Sequence, residues 1–148
     1  MKVLWVEDHE PVREMLAITA DKAARSRVPV DLVIAPTLVA AEARLRLERF
    51  DLVMLDLLLP DSQDPEMTIA RVANMGRHRI AVISGSEARD DAVANARRCG
   101  CNIAPEAIGK ASASFHRFIQ RPEQFLDFLL GFMPGEDEIE PRRRRCAA

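Results

Sequence analysis

Tyrosine is absent from this chain of 148 residues, and lysine is scarce: Lys2, Lys22 and Lys110 are the only ones among 21 basic residues, the rest being arginine. A late lysine beside glycine, Gly109-Lys110, is therefore a position to follow. Long apolar runs are also missing. None approaches the ~18 residues of a membrane span, and Glu7 breaks the amino terminus before the apolar core of a secretory leader can form. The three cysteines, Cys99, Cys101 and Cys146, are odd in number and poorly spaced. Cys99-Gly100-Cys101 has no second pair, so it does not make a structural zinc site. Reduced thiols and a cytoplasmic location are expected. The net charge of −2 argues against a broad nucleic-acid surface.

What is present is ordinary for a globular domain: 48% apolar and 30% charged residues in a length that suits one core. Three apolar runs, Val3 to Val6, Leu52 to Leu55 and Ile80 to Ile83, read as strands, and Val30 to Ala35, which contains Asp31, reads as one more. Short uninterrupted runs of this kind fit strands buried on both faces, as in a parallel sheet. Between them lie helical patterns. Val12, Met15, Leu16, Thr19 and Ala23 form the first, with Pro11 in its first turn. Leu38, Ala41 and Leu45 mark the second, which Thr37 can cap. Ile69, Val72 and Ala73 follow Asp64-Pro65, and Ala92, Val93, Ala96 and Cys99 follow Ser86, a candidate cap, and stop at Gly100. The alternation predicts a doubly wound α/β fold with right-handed crossovers. A fifth strand is expected within Cys101 to Lys110, although Pro105 and Glu106 interrupt it. A short extra helix is expected over Ser112 to Phe118. Pro122 opens a last helix with Phe125, Leu126, Leu129 and Leu130 inward. The domain is expected to span residues 1–133. Residues 134–148, acidic and then basic at Arg142 to Arg145, read as a disordered charged tail.

Three of these strands end in polar residues suited to phosphate chemistry. The first runs into Glu7-Asp8, the third into Asp56 and the fourth into Ser84. Open α/β sheets place their sites at the carboxyl ends of the strands, so these residues should converge. Taken singly, the acid pair could be a solvated loop and Ser84 a strand-end hydroxyl. Asp56 is harder to dismiss, because an acid directly after a buried strand is costly unless partnered. His9, His78 and His116 lack metal-ligand spacing and read as surface residues.

In order along the chain, Glu7-Asp8, Asp56-Leu57-Leu58-Leu59-Pro60-Asp61, Ser84 and Lys110 resemble the site residues of the response-regulator receiver domain of two-component signalling. The resemblance covers roughly residues 1–132. It implies a five-stranded (βα)5 sheet of the flavodoxin and CheY-like type, strand order 2-1-3-4-5, with an extended segment before the last helix. It implies that Asp56 is a phosphoacceptor, that Glu7, Asp8 and Asp56 hold Mg²⁺, and that Ser84 and Lys110 contact the phosphoryl group. A sensor histidine kinase or a histidine phosphotransfer protein would be the donor, and an unidentified protein the downstream partner. Such a domain is not an enzyme acting on other substrates; it catalyses only its own phosphoryl transfer and dephosphorylation. No DNA-binding domain is expected, since too few residues follow the last helix.

The chain departs from the family in several places. Asp64 stands where receivers carry a glycine, Ala111 follows the lysine where they carry proline, and Ala107 occupies the usual aromatic position. Leu58, two residues after Asp56, cannot orient a water and implies a long-lived phosphorylated state. Phe115 and Phe118 are candidates for a substitute output element or for added core. The alternative to a phosphorylated receiver is a receiver-fold interaction module that works without phosphate. A dehalogenase-type hydrolase would need an aspartate at Leu58 as general acid.

Overall fold

The computed structural model describes residues 1–138. Strands β1 (Lys2–Val6), β2 (Asp31–Ala35), β3 (Leu52–Leu55) and β4 (Arg79–Val82) form one parallel sheet in the order β2-β1-β3-β4. Helices α1 (Glu10–Arg25), α2 (Leu38–Leu47), α3 (Pro65–Ala73) and α4 (Arg89–Arg98) alternate with the strands, and α5 (Phe115–Gln120) and α6 (Pro122–Leu130) follow. Because side chains alternate across a strand, each strand feeds two cores. Leu4, Val6, Val53 and Leu55 face α2, α3 and α4. Val3, Trp5, Leu52 and Met54 face α1, α5 and α6.

Five strands were expected; the sheet has four among the described residues. The outer segment does lie beside β4 and pairs with it at both ends, through Ile80 with Ile103 and Ile83 with Ile108. Between these bridges β4 advances three residues and the outer segment five, so the excess bulges away. Pro105 has no N–H to give the ladder, and Pro105 and Glu106 are exposed. The fifth position is thus occupied without forming a regular strand.

Local chemistry sets the helix ends. Thr37 Oγ1 accepts the Ala40 N–H at 3.1 Å, as its position suggested. Asp64 Oδ1 accepts the N–H groups of Glu66 and Met67, with Pro65 at the first helical position. Ser86 does not cap α4; its hydroxyl closes a turn with the Ala88 N–H, and the helix begins at Arg89. Lys110–Ser112 form a 3-10 turn, and the extra helix starts at Phe115. Phe115 packs on Trp5, and Phe118 lies between Phe115, Phe125 and Phe128 at centroid distances of 5.1–6.3 Å. This aromatic cluster enlarges the second core. Leu130, expected inward, is half exposed, whereas Phe125 and Leu129 are buried.

His78 is buried rather than on the surface. Its Nε2 lies 2.9 Å from the Val72 carbonyl, and burial, only partly offset by that bond, pushes its pKa below the usual histidine value. Next to it, Arg79 opens β4 with only 2% exposure. Its guanidinium donates to the Phe132 carbonyl at 2.8 Å, to Asn102 Oδ1 at 3.1 Å and to both carboxylate oxygens of Glu138. Residues 134–138, assigned to the tail, therefore include one docked carboxylate; the remaining ten, with Arg142 to Arg145 and Cys146, lie outside the described residues. Glu138→Ala is expected to cost about 1–3 kcal/mol of stability in urea unfolding, as a charged hydrogen-bonded partner is lost. Replacing both members, Arg79→Met with Glu138→Leu, should recover most of it, because no buried charge is then left unpaired.

Candidate functional site

The parallel ladder delivers three acids to one edge. Beyond β1, the Glu7 N–H still bonds to the Ala35 carbonyl at 2.9 Å; beyond β3, the Asp56 N–H reaches the Val6 carbonyl at 3.3 Å. Glu7 is 1% exposed and Asp56 is fully buried, while Asp8 is exposed at the mouth. One oxygen from each of the three lies within 4.8 Å of the others. Carboxylates so close repel one another, so the site must supply positive charge or protons.

Lys110 supplies part of it. Its Nζ stands 2.8 Å from Glu7 Oε1 and 2.7 Å from Asp56 Oδ2. Burial alone pushes the ammonium pKa down, but hydrogen bonds and charge from Asp56 and Glu7 outweigh it and hold the pKa above the usual lysine value. Lys110 therefore remains a full cation across the neutral range. One ammonium against three acids leaves an uncompensated negative cluster made only of oxygen donors, which suits a hard divalent cation.

The two oxygens of Asp56 have different surroundings. Oδ1 accepts the Leu58 N–H at 3.0 Å and the Ser84 hydroxyl at 2.9 Å. Oδ2 accepts no well-angled hydrogen bond and faces only the Lys110 charge. Ser84 is in turn fixed by the N–H groups of Leu57 and Ser86, both pointing at its Oγ from 3.2–3.3 Å. The serine hydroxyl thus orients the carboxylate and leaves Oδ2 to the Lys110 ammonium.

All five residues singled out in the sequence meet here: Glu7, Asp8, Asp56, Ser84 and Lys110. Two supporting residues were missed. Arg13, one turn into α1, donates to the backbone carbonyls of Glu7 and Asp8 and pins the acidic loop. Asp61, on the loop after Asp56, accepts the N–H groups of Leu38 and Val39, each at 2.9 Å, and so caps α2 from across the edge. Burial raises its pKa, but these backbone bonds lower it further, to a net value below the usual carboxylate value. The position of Asp61 in the motif was visible; its partner, 23 residues upstream, was not. His9 and His116 are exposed, as expected of surface residues.

No protein-family model matches the chain, and no curated protein matches it. Solved structures do. A CheY-like response regulator receiver domain protein from Methanospirillum hungatei JF-1 superposes with a TM-score of 0.59 at 17% identity, covering 88% of this chain and 96% of that one. The fold is that of a receiver domain. The Mn²⁺-bound form of response regulator Rcp1 gives 0.59 at 22% identity, covering 90% and 99%. The receiver domain of Francisella response regulator 1452 gives 0.56 at 16%, covering 81% and 91%. The receiver fold thus accounts for most of this chain. Among the described residues no helix is long and apolar enough to cross a membrane.

Two outcomes test the site. Ser84→Ala leaves two backbone N–H groups without their acceptor and is expected to lower stability by about 1–3 kcal/mol in urea unfolding, with Ser84→Thr largely restoring it. Mg²⁺ or Mn²⁺ at about a hundredfold over its Kd should add about 2.7 kcal/mol to the stability of the native chain. Asp8→Asn, at an exposed position, should remove most of that gain in a thermal melt without altering the metal-free Tm by a comparable amount.

Proposed function

We propose that this chain is a phosphoacceptor module of two-component signalling. Asp56 takes a phosphoryl group from a sensor histidine kinase or a histidine phosphotransfer protein, and the event switches a protein-interaction surface. The observation that carries this is the asymmetry of Asp56: one oxygen held by Ser84 and Leu58, the other buried, unbonded and facing Lys110. In the transfer Oδ2 forms a bond to phosphorus while the N–P bond of the donor's phosphohistidine breaks, and the imidazole leaves with the bonding pair. The chemistry asks for little beyond positioning and charge neutralisation. Ser84 positions the attacking carboxylate, and Lys110 places a point charge against the phosphoryl oxygens. Glu7, Asp8 and Asp56 would hold Mg²⁺, which supplies the further positive charge that the developing phosphoryl group requires; the Mn²⁺-bound receiver among the structural neighbours supports this assignment. The module acts on no other substrate and catalyses only its own phosphorylation and dephosphorylation.

The test is direct. Incubation with a small acyl phosphate and Mg²⁺ should add one phosphoryl group, mapped to Asp56 by mass spectrometry after borohydride reduction. Asp56→Asn or a chelator should abolish it. Labelling that survives both would overturn the assignment, and a chain that never labels yet binds its partner would favour the phosphate-independent module. Leu58 is half exposed two residues beyond Asp56. An apolar side chain there cannot orient the hydrolytic water, so the phosphorylated state should be long-lived. Leu58→Asn is expected to speed dephosphorylation about tenfold, a barrier change of 1.36 kcal/mol. An unchanged or slower rate would count against this role.

A further inference from the structure

The opposite edge of the sheet carries a second feature, which the phosphoacceptor chemistry does not use. The segments entering β3 and β4, together with Asn102, Met133 and Pro134, enclose a groove of about 840 Å³. Four or five residues of strand at about 3.3 Å each separate it from the acidic edge, so an occupant does not compete with a phosphodonor at Asp56.

Its charge is unlike that of the whole chain. Arg46, Arg49 and Arg77 line it, all exposed and none with a side-chain hydrogen bond or ion pair among the described residues. The other charged wall residues are already engaged. Glu48 is held by Lys2 at 3.0 Å and Arg44 at 3.3 Å, Asp51 accepts the Lys2 backbone N–H at 2.7 Å, and Arg79 is committed to Glu138. Four guanidiniums thus line one concavity against two carboxylates, Glu48 and Asp51, an excess of positive charge in a chain of net charge −2. The groove is also apolar in part. Met75 is half-buried in its wall, Phe50 belongs to the core with only 6% exposure, and Leu47 stands at its rim 81% exposed. Methionine adapts to varied apolar partners, and arginine is the basic residue best suited to forked carboxylate pairing.

We propose that this groove is a docking site for an acidic segment of a partner protein that carries a large apolar side chain. The arginines would pair with carboxylates, and Leu47 with the exposed part of Met75 would receive the apolar anchor. A protein segment is favoured over a nucleic acid because exposed Leu47 at the rim gives a phosphate backbone nothing to bind, and a chain of net charge −2 offers no broad basic surface beyond the groove.

The probe is a set of short synthetic peptides in which Glu and Asp flank a single Leu or Phe, added to the full chain labelled for amide NMR. Shift changes are expected at the amides of residues 45–51, 75–79, 102 and 133, with amides around Asp56 unmoved, and the affinity should fall as salt rises. Arg46→Glu, Arg49→Glu and Arg77→Glu together should weaken binding at least about tenfold, equivalent to 1.4 kcal/mol. These positions are exposed, so the variant's own amide dispersion should report an intact fold. Replacing the apolar residue of the peptide by Ser should cost a similar factor. Several results would overturn the proposal. They are no shifts with any peptide, shifts on another face, binding that survives the triple reversal, or equal binding of the Ser peptide, a nucleoside triphosphate or a single-stranded oligonucleotide.

Discussion

Everything at the functional edge depends on burying one carboxylate. Asp56 ends a strand whose four residues are all buried, so its charge sits where water cannot reach it. Such a charge is tolerable only with a counter-charge and a hydrogen bond that holds it in place. Lys110, 54 residues later, and Ser84, 28 residues later, provide these. The loop carrying Lys110 must therefore return to the sheet edge, and β4 must end level with β3. This requirement is imposed by the folded state itself.

A parallel sheet has two unlike edges, and this chain uses both. At the carboxyl ends of the strands the loops bring carboxylates together, and at the amino ends they gather guanidiniums. Arg79 mirrors Asp56: a buried charge at one end of β4, satisfied by a segment from far along the chain. Asp61 ties the loop after Asp56 to the start of α2, so the acidic edge and a neighbouring helix form one rigid unit. Arg13 does the same for the Glu7-Asp8 loop from α1. The loops that carry the acids are thus each tied by side-chain-to-backbone hydrogen bonds to a helix, α1 in one case and α2 in the other.

The departures from the receiver pattern are absorbed locally. Asp64 in place of glycine gives α3 a capping carboxylate. With no tyrosine and Ala107 at the usual aromatic position, the aromatic mass lies elsewhere, in Trp5, Phe115, Phe118, Phe125 and Phe128. These side chains fill the second core, which includes the extra helix after Lys110. That helix packs on α1 and α6, so the added segment serves the core as well as carrying the chain away from the site.

The amino-acid sequence by itself determined the alternation of strands and helices, the two-faced burial of β1, β3 and β4, and the polar residues at their ends. These are local matters: apolar periodicity, a capping Thr37 or Asp64, a proline in a first turn. It also pointed to Glu7, Asp8, Asp56 and Ser84 sharing one edge, because neighbouring parallel strands end on the same side, whereas Lys110 entered through the likeness to receivers and not through strand geometry. Tertiary structure alone decided the rest. The fifth strand yields to a bulge because Pro105 and Glu106 sit where the ladder with β4 would need a straight partner. His78 is buried because α3 turns over it, which no spacing announces. The roles of Asp61, Arg13 and Arg79 depend on partners brought near only by the fold, and a side chain's charge does not say which backbone it will meet. The difference between the two oxygens of Asp56 is of the same kind, since it is created by groups 2, 28 and 54 residues away that share only a position in space.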